Sequence, residues 1–208
     1  GSRVTVKGKL FYHNHVDELE SYRDPGYSVY LSTSRYKDDM FGGSLSSDIK
    51  LAEIDTLKLS LHYRRDKHEE RNDTYLPFQE AASYTGSFGV ENELKPTKNL
   101  SIVGGLSYDW FDVTKSTQNE TNNAGDLTGV KGLKKPDDNM LSPMLGATYT
   151  FSDGTKVFAS WARKVRFPTL STLYSSTSGN PDLRPEKSMN YVLGASRNIT
   201  QYARGEAS

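Results

Sequence analysis

Tyr84-Thr85-Gly86-Ser87-Phe88-Gly89-Val90-Glu91-Asn92-Glu93-Leu94, a short connection Lys95-Pro96-Thr97-Lys98-Asn99, and then Leu100-Ser101-Ile102-Val103-Gly104-Gly105-Leu106-Ser107-Tyr108-Asp109-Trp110 form the stretch on which the fold turns. In its first arm Tyr84, Gly86, Phe88, Val90 and Leu94 alternate with Thr85, Ser87, Gly89, Glu91 and Glu93. In the second, Leu100, Ile102, Leu106, Tyr108 and Trp110 alternate with smaller or polar neighbours. A period of two places these sets on opposite faces of an extended chain, so the stretch reads as two antiparallel strands, each greasy on one side only. Each arm has 11 residues, about twice the usual strand length of ~5–6 residues.

The same split recurs on both sides. Val4, Val6, Gly8, Leu10 and Tyr12 oppose Arg3, Thr5, Lys7 and Lys9; Phe41, Gly43, Leu45, Ile49 and Leu51 oppose Gly42, Ser44, Ser46, Asp48 and Lys50. Leu57, Leu59, Leu61 and Tyr63 oppose Thr56, Lys58, Ser60 and His62. Leu145, Ala147, Tyr149 and Phe151 follow, then Val157, Ala159 and Trp161, then Met189, Tyr191, Leu193 and Ala195. These windows predict an all-β, antiparallel up-and-down meander of about eight strands, with little claim for helix anywhere. The connections alternate in length. Those at 53–55, 96–99 and 152–155 are short, the last carrying Asp153-Gly154, whose glycine tolerates positive φ in a tight turn. Those at 14–35, 72–81, 116–138 and 167–185 read as long solvated loops rich in Asn, Thr, Ser, Asp, Gly and Pro.

The composition narrows the function. Of 208 residues only 35% are hydrophobic, below the ~45–50% of soluble globular chains, yet thirteen Tyr, eight Phe and two Trp argue against disorder. Lys plus Arg and Asp plus Glu both number 26, so no basic field exists to hold a nucleic acid. The absence of cysteine removes disulfides, thiolate metal sites and Cys nucleophiles. No run approaches the ~18 apolar residues of a membrane helix, so contact with a bilayer would be through strands. Gly1-Ser2-Arg3 carries no signal-peptide pattern, and Gly1-Ser2 reads as a cloning remnant. Long two-faced strands, aromatics near their ends, and short turns on one edge opposite long loops on the other describe the wall of an outer-membrane β-barrel. A soluble antiparallel β-domain acting as a ligand- or protein-binding module also accounts for the alternation, though less well for the strand lengths.

A resemblance sharpens this. Val157-Phe158-Ala159-Ser160-Trp161-Ala162-Arg163-Lys164-Val165-Arg166-Phe167-Pro168-Thr169-Leu170 is similar to a barrel strand followed by an Arg-aromatic-Pro entry into a long loop. Gly179-Asn180-Pro181-Asp182-Leu183-Arg184-Pro185-Glu186 then resembles the Asn-Pro-x-Leu-x-Pro-Glu signature of the TonB-dependent outer-membrane receptors. The likeness is strong over 140–198 and less specific upstream. It implies a bacterial outer-membrane location in the parent protein and uptake of a scarce chelate such as a ferric siderophore, haem or cobalamin, driven by a TonB-type energiser through a plug inside a barrel of about 22 strands. It also implies outer-membrane lipid as a partner, with no cofactor and no enzymatic role. Residues 1–200 then read as a barrel segment and 201–208 as a tail. The end, Tyr202-Ala203-Arg204-Gly205-Glu206-Ala207-Ser208, lacks the expected terminal aromatic, so the chain reads as a middle slice not transport-competent by itself. Strand 3–13 pairing with 186–198 would close a small barrel; without closure, both edges invite self-association.

Candidate sites follow from the same map. The loop aromatics Tyr22, Tyr27, Tyr30, Tyr75, Phe78 and Tyr174 are candidates for ligand capture by stacking, with loop self-packing as the competing reading. Arg166, Phe167, Pro168, Asn180, Pro181, Leu183, Pro185 and Glu186 carry the family signature and read as structural, with the prolines controlling the loop's re-entry. Arg166 and Glu186 are placed to pair across its mouth. His13 and His15, at i and i+2, share a face and are weak metal-ligand candidates, a solvated loop start being the plainer reading. No nucleophile elbow, His-Glu-x-x-His helix or phosphate loop is present, so no catalytic residue is assigned.

Overall fold

The computed structural model describes residues 3–73, 75–175, 178–200 and 203–207; Gly1, Ser2 and part of the expected tail, residues 201, 202 and 208, lie outside them. The strands are β1 (Val4–Tyr22), β2 (Tyr30–Ala52), β3 (Asp55–Arg71), β4 (Gln79–Thr97), β5 (Leu100–Thr121), β6 (Leu127–Gly132), β7 (Asp137–Thr150), β8 (Lys156–Arg166), β9 (Glu186–Thr200) and β10 (Ala203–Ala207). One short helix, α1 (Leu170–Tyr174), stands between β8 and β9. All neighbours are antiparallel, in the order β1-β2-β3-β4-β5-β7-β8-β9-β10, with β6 pairing the upper part of β5. The all-β meander is as expected.

The register carries one face continuously across the sheet. Val4, Ile49, Leu57, Asn92, Gly104, Leu145, Trp161 and Tyr191 lie on one rung. Large apolar side chains on this face, among them Leu10, Leu45, Leu61, Phe88, Leu106, Leu145 and Leu193, are exposed instead of filling an interior. Aromatic pairs bound the apolar band. Tyr63 stacks with Tyr84 at 5.7 Å and Tyr108 with Trp110 at 6.0 Å at one level, and Tyr149 meets Phe151 edge-on at 4.9 Å beside the short turns. From Tyr84 to Leu94 the chain advances ten residues, which at ~3.3 Å per residue and a tilt of about 40° spans about 25 Å, the height of an outer-membrane hydrophobic band. Beyond the upper aromatics the same face turns polar: Tyr12 Oη and Asn14 Nδ2 donate to Asp39 at 2.9 and 2.7 Å, and Lys115 reaches Glu80 at 2.7 Å.

Two expectations, the extent of the loops and the closure, are corrected, and two, the strand count and the scarcity of helix, are refined. Strands occupy much of 14–35 and 116–138, so the connections shrink to about 23–29, 72–78, 122–126 and 133–136; among the described residues nine strands form the meander, in line with about eight, and β6 stands off it. The extensions carry polar and charged residues on their outward face as well, so the period-two signal fades while the ladder continues. A helix does form, because Thr169 caps it by accepting from Thr172 N at 3.2 Å and because Leu170, Leu173 and Tyr174 bury one face. Strand 3–13 does not pair with 186–198: β9 gives its second edge to β10, and β1 pairs on one side only among the described residues, leaving the sheet open. The 152–155 turn is tight as expected, with Gly154 at φ 80°.

The buried core is small and sits on the polar, inward face. Ala81, Phe111, Val113, Leu170, Leu173 and Tyr174 pack together, with Leu133 and Phe167 against them. Leu173 is 0% exposed. The segment 167–185 therefore folds inward as a strap against the upper inner wall of β4 and β5.

Candidate functional site

Between this strap and the inner faces of β1 to β5 lies an open cavity of about 810 Å³. All four histidines of the chain, His13, His15, His62 and His68, line it. The register explains this, because His15, Asp38 and His68 occupy one rung, His13, Met40 and Asp66 the next, and Phe11, Gly42 and Arg64 the one below. Each lies on the inward parity of its strand, the parity that carries the polar residues lower in the sheet.

The charges here are mostly paired. His68 Nδ1 lies 2.7 Å from Asp38 and Nε2 lies 3.3 Å from Glu70, and the imidazole is almost buried, with Tyr36 stacked near it. His68 lies five residues above Tyr63, beyond the apolar band. Its hydrogen bond to Glu70, aided by Asp38, outweighs burial and raises its pKa above the usual imidazole value. With a carboxylate on each ring nitrogen, His68 has no nitrogen directed at a hydroxyl. Arg64 Nε pairs Asp66 at 2.8 Å. Lower down, Lys58 bridges Glu91 at 2.8 Å and Glu93 at 3.8 Å, and Ser107 and Ser142 both donate to Asp109. A charge-balanced wall results, with the half-buried rings of Phe11 and Phe167 at its outer end.

His13 and His15 lie on β1, not at a loop start. Their rings stand 6.4 Å apart with planes 13° from parallel. No group of three or more His, Asp or Glu side chains able to hold a metal ion occurs among the described residues. The six loop aromatics do not converge. Tyr22 packs edge-on against Tyr27 at 5.4 Å and Tyr30 at 6.0 Å at the β1–β2 tip, where Asp24 accepts from the Ser28 and Val29 amides, which lowers its pKa. Tyr75 is exposed in the β3–β4 connection. Phe78 lies between Lys37 (4.2 Å) and Arg71 (4.6 Å), whose strand positions belong to the outward face. Tyr174 is buried in the strap's core; its hydroxyl donates to Lys134 O at 2.7 Å, and burial raises its pKa.

The signature residues build the strap. Phe167 stacks on Phe111 at 5.5 Å, directing the chain inward past Pro168. Asn180 to Leu183 is a β-turn: Leu183 N donates to Asn180 O at 3.2 Å, Asn180 Oδ1 accepts from Asp182 N at 3.0 Å, and Pro181 holds the second position. Lys134 reaches Asp182 at 2.6 Å and lowers its pKa, tying the strap to the β6–β7 connection. Pro185 precedes Glu186, which faces Arg166 across the β8–β9 ladder, an exposed pair at 3.8 Å of small energetic weight. A glycine is required at 179, where a Cβ would approach the Ser175 backbone to within 2.6 Å.

Comparison with known proteins agrees with this architecture. No curated protein matches the chain. Among solved structures, the copper transporter OprC superposes with a TM-score of 0.77 at 17% identity, over 94% of this chain and 35% of that one. The ferric-catecholate import receptor Fiu of E. coli K12 gives 0.65 at 13% identity, over 97% and 37%. A double mutant of the Serratia marcescens hemophore receptor HasR, in complex with its hemophore HasA and heme, gives 0.63 at 15% identity, over 92% and 33%. These likenesses establish the fold, and the chain spans about a third of the length of each. A family model described as "TonB dependent receptor-like, beta-barrel" matches residues 2–207. With that match over nearly every residue, and with an apolar outward face and a polar inward one, this chain belongs to the TonB-dependent receptor-like β-barrel family.

Proposed function

We propose that this chain is part of the wall of a bacterial outer-membrane receptor that takes up a scarce metal chelate, of the ferric siderophore, haem or cobalamin kind, with energy from a TonB-type partner. One observation carries the reading: a strand wall with an apolar band about 25 Å high turned outward bears on its inner side, at its upper end, an open cavity lined by histidines, charged groups and aromatic rings and bounded by an inward strap. Such a wall meets lipid on one side and a hydrated solute on the other. The structural neighbours described as a copper transporter, a ferric-catecholate receptor and a hemophore receptor support the same class of cargo. The open edges of β1 and β10 are places where further strands, from the same protein or a second copy, continue the sheet.

The test is uptake by cells that carry the intact receptor containing this wall, offered radiolabelled ferric catecholate, haem and cobalamin in turn. The reading expects accumulation of one of these, abolished when the energiser is deleted. Accumulation of none, or accumulation indifferent to the energiser, overturns it.

A further inference from the structure

We propose that His13 and His15 form a docking site for a first-row transition-metal ion, Cu(II) foremost, on the inner wall at the outer end of β1. Residues two apart on a strand project from one face, and both rings line the cavity beneath the strap. They are nearly parallel with centres 6.4 Å apart. Two imidazoles ligating one ion through metal–nitrogen bonds of ~2.0 Å stand about 5–6 Å centre to centre. Ring planes 13° from parallel do not yet meet at one ion, so ligation turns both side chains about χ1 and χ2, and both are exposed enough to turn.

The pair also differs from His68 in the same cavity. His68 is committed on both nitrogens, to Asp38 and Glu70, whereas His13 and His15 make no hydrogen bond or ion pair to a described residue. Asp38, across the ladder from His15, is held by His68 and does not compete for it. Two neutral nitrogen donors suit Cu, Ni and Zn better than Mn or Fe(II), and the order of divalent affinities puts Cu(II) first. With no third His, Asp or Glu ligand converging among the described residues, the other positions on the ion stay open to water or to donor atoms arriving with a solute. Such a site holds an ion weakly enough to release it.

This deepens the uptake reading by naming a class of solute that the wall can hold; it rests on that reading for its part in uptake, but the ligation itself does not. The intact receptor in detergent is titrated with Cu(II) and followed by calorimetry and low-temperature electron paramagnetic resonance. The site predicts one ion with hyperfine coupling to two nitrogens, and affinity lower by about tenfold or more in either His13→Ala or His15→Ala, at least the loss that removing an outer-shell partner gives. Unchanged heat-modifiable migration of each variant establishes that the barrel has formed. Binding that persists in the double variant, or a spectrum without two-nitrogen coupling, overturns the site. If the titration fails while a chelate is still taken up by cells, the site falls and the uptake reading stands; if copper binds and no chelate is taken up, the reverse holds.

Discussion

Replacing Leu173 by Ala should free the strap while leaving the strand ladder intact. Leu173 is fully buried among Ala81, Phe111, Val113, Leu170 and Tyr174. Its truncation removes about three methylene equivalents, or about 2.4 kcal/mol of transfer free energy at ~0.8 kcal/mol each. Three of the wall residues, Ala81, Phe111 and Val113, sit on paired strands and have little freedom to collapse, so a cavity remains and the total loss is about 3–4 kcal/mol. Because the strap adds side-chain contacts to a ladder whose own hydrogen bonds do not depend on it, the loss appears as local opening. At 1.4 kcal/mol per factor of ten, the strap opens more than about a hundredfold more often. Hydrogen exchange on the receptor in detergent reads this at the Leu173 amide, bonded to Thr169 O, and at the Ser175 amide, bonded to Ser171 O. Both should exchange faster by that factor, with the β2–β3 and β3–β4 amides unchanged. Unchanged exchange at the strap, or equal acceleration in the ladder, would refute the reasoning.

Other perturbations test other parts of the account. Leu106→Arg, at mid-height on the outward face, should destabilise the barrel in vesicles by about 2–4 kcal/mol in a urea titration, while Ser46→Arg on the inward face costs under about 1 kcal/mol; similar costs at both sites would mean that the faces are misassigned. Gly86→Val should push aside the Trp110 ring that lies across it, costing about 1–3 kcal/mol and shifting the tryptophan emission; an unaltered spectrum contradicts that packing. For His68, a folded-state pKa above the ordinary 6.5 means that its stabilising contribution is complete below that value and fades as pH rises through the raised one. After correction for intrinsic rates, the β2–β3 rim should therefore open more often at alkaline than at mildly acidic pH, and His68→Gln should flatten this trend.

The apolar band is legible because one demand acts on the whole outward face: each outward position from Val90 to Tyr84 and from Leu100 to Trp110 is apolar, glycine or aromatic, and period two survives. Above Tyr63 that demand ends. Arg65, Lys67 and Glu69 continue the outward face of β3 with no hydrophobic mark, and on β1, where Asn14, Glu18 and Glu20 do the same, 14–35 reads as loop. The helix was equally hidden, since Leu170, Leu173 and Tyr174 have helical spacing but span little more than one turn. Tyr174 read as a solvent-facing aromatic for the same reason, its partners Phe111 and Val113 lying some sixty residues away in the chain. The histidine cavity was within reach. Carrying the inward parity of Lys7 and Lys9 on to His13 and His15, and that of Lys58 on to His62 and His68, would have placed all four on one wall. What no parity supplies is the strap that bounds their cavity.

The central claim is that the apolar face of this sheet meets lipid. Trp110 and Trp161 both lie on that face, and Phe158 lies on the opposite one, over Gly194. In vesicles of brominated lipid, the receptor with Trp110 or Trp161 as reporter should lose most of its fluorescence, and a Phe158→Trp reporter with the two native tryptophans replaced should keep it. Quenching of Trp110 and Trp161 only by aqueous iodide, with the Phe158→Trp reporter quenched by the lipid, would contradict the account.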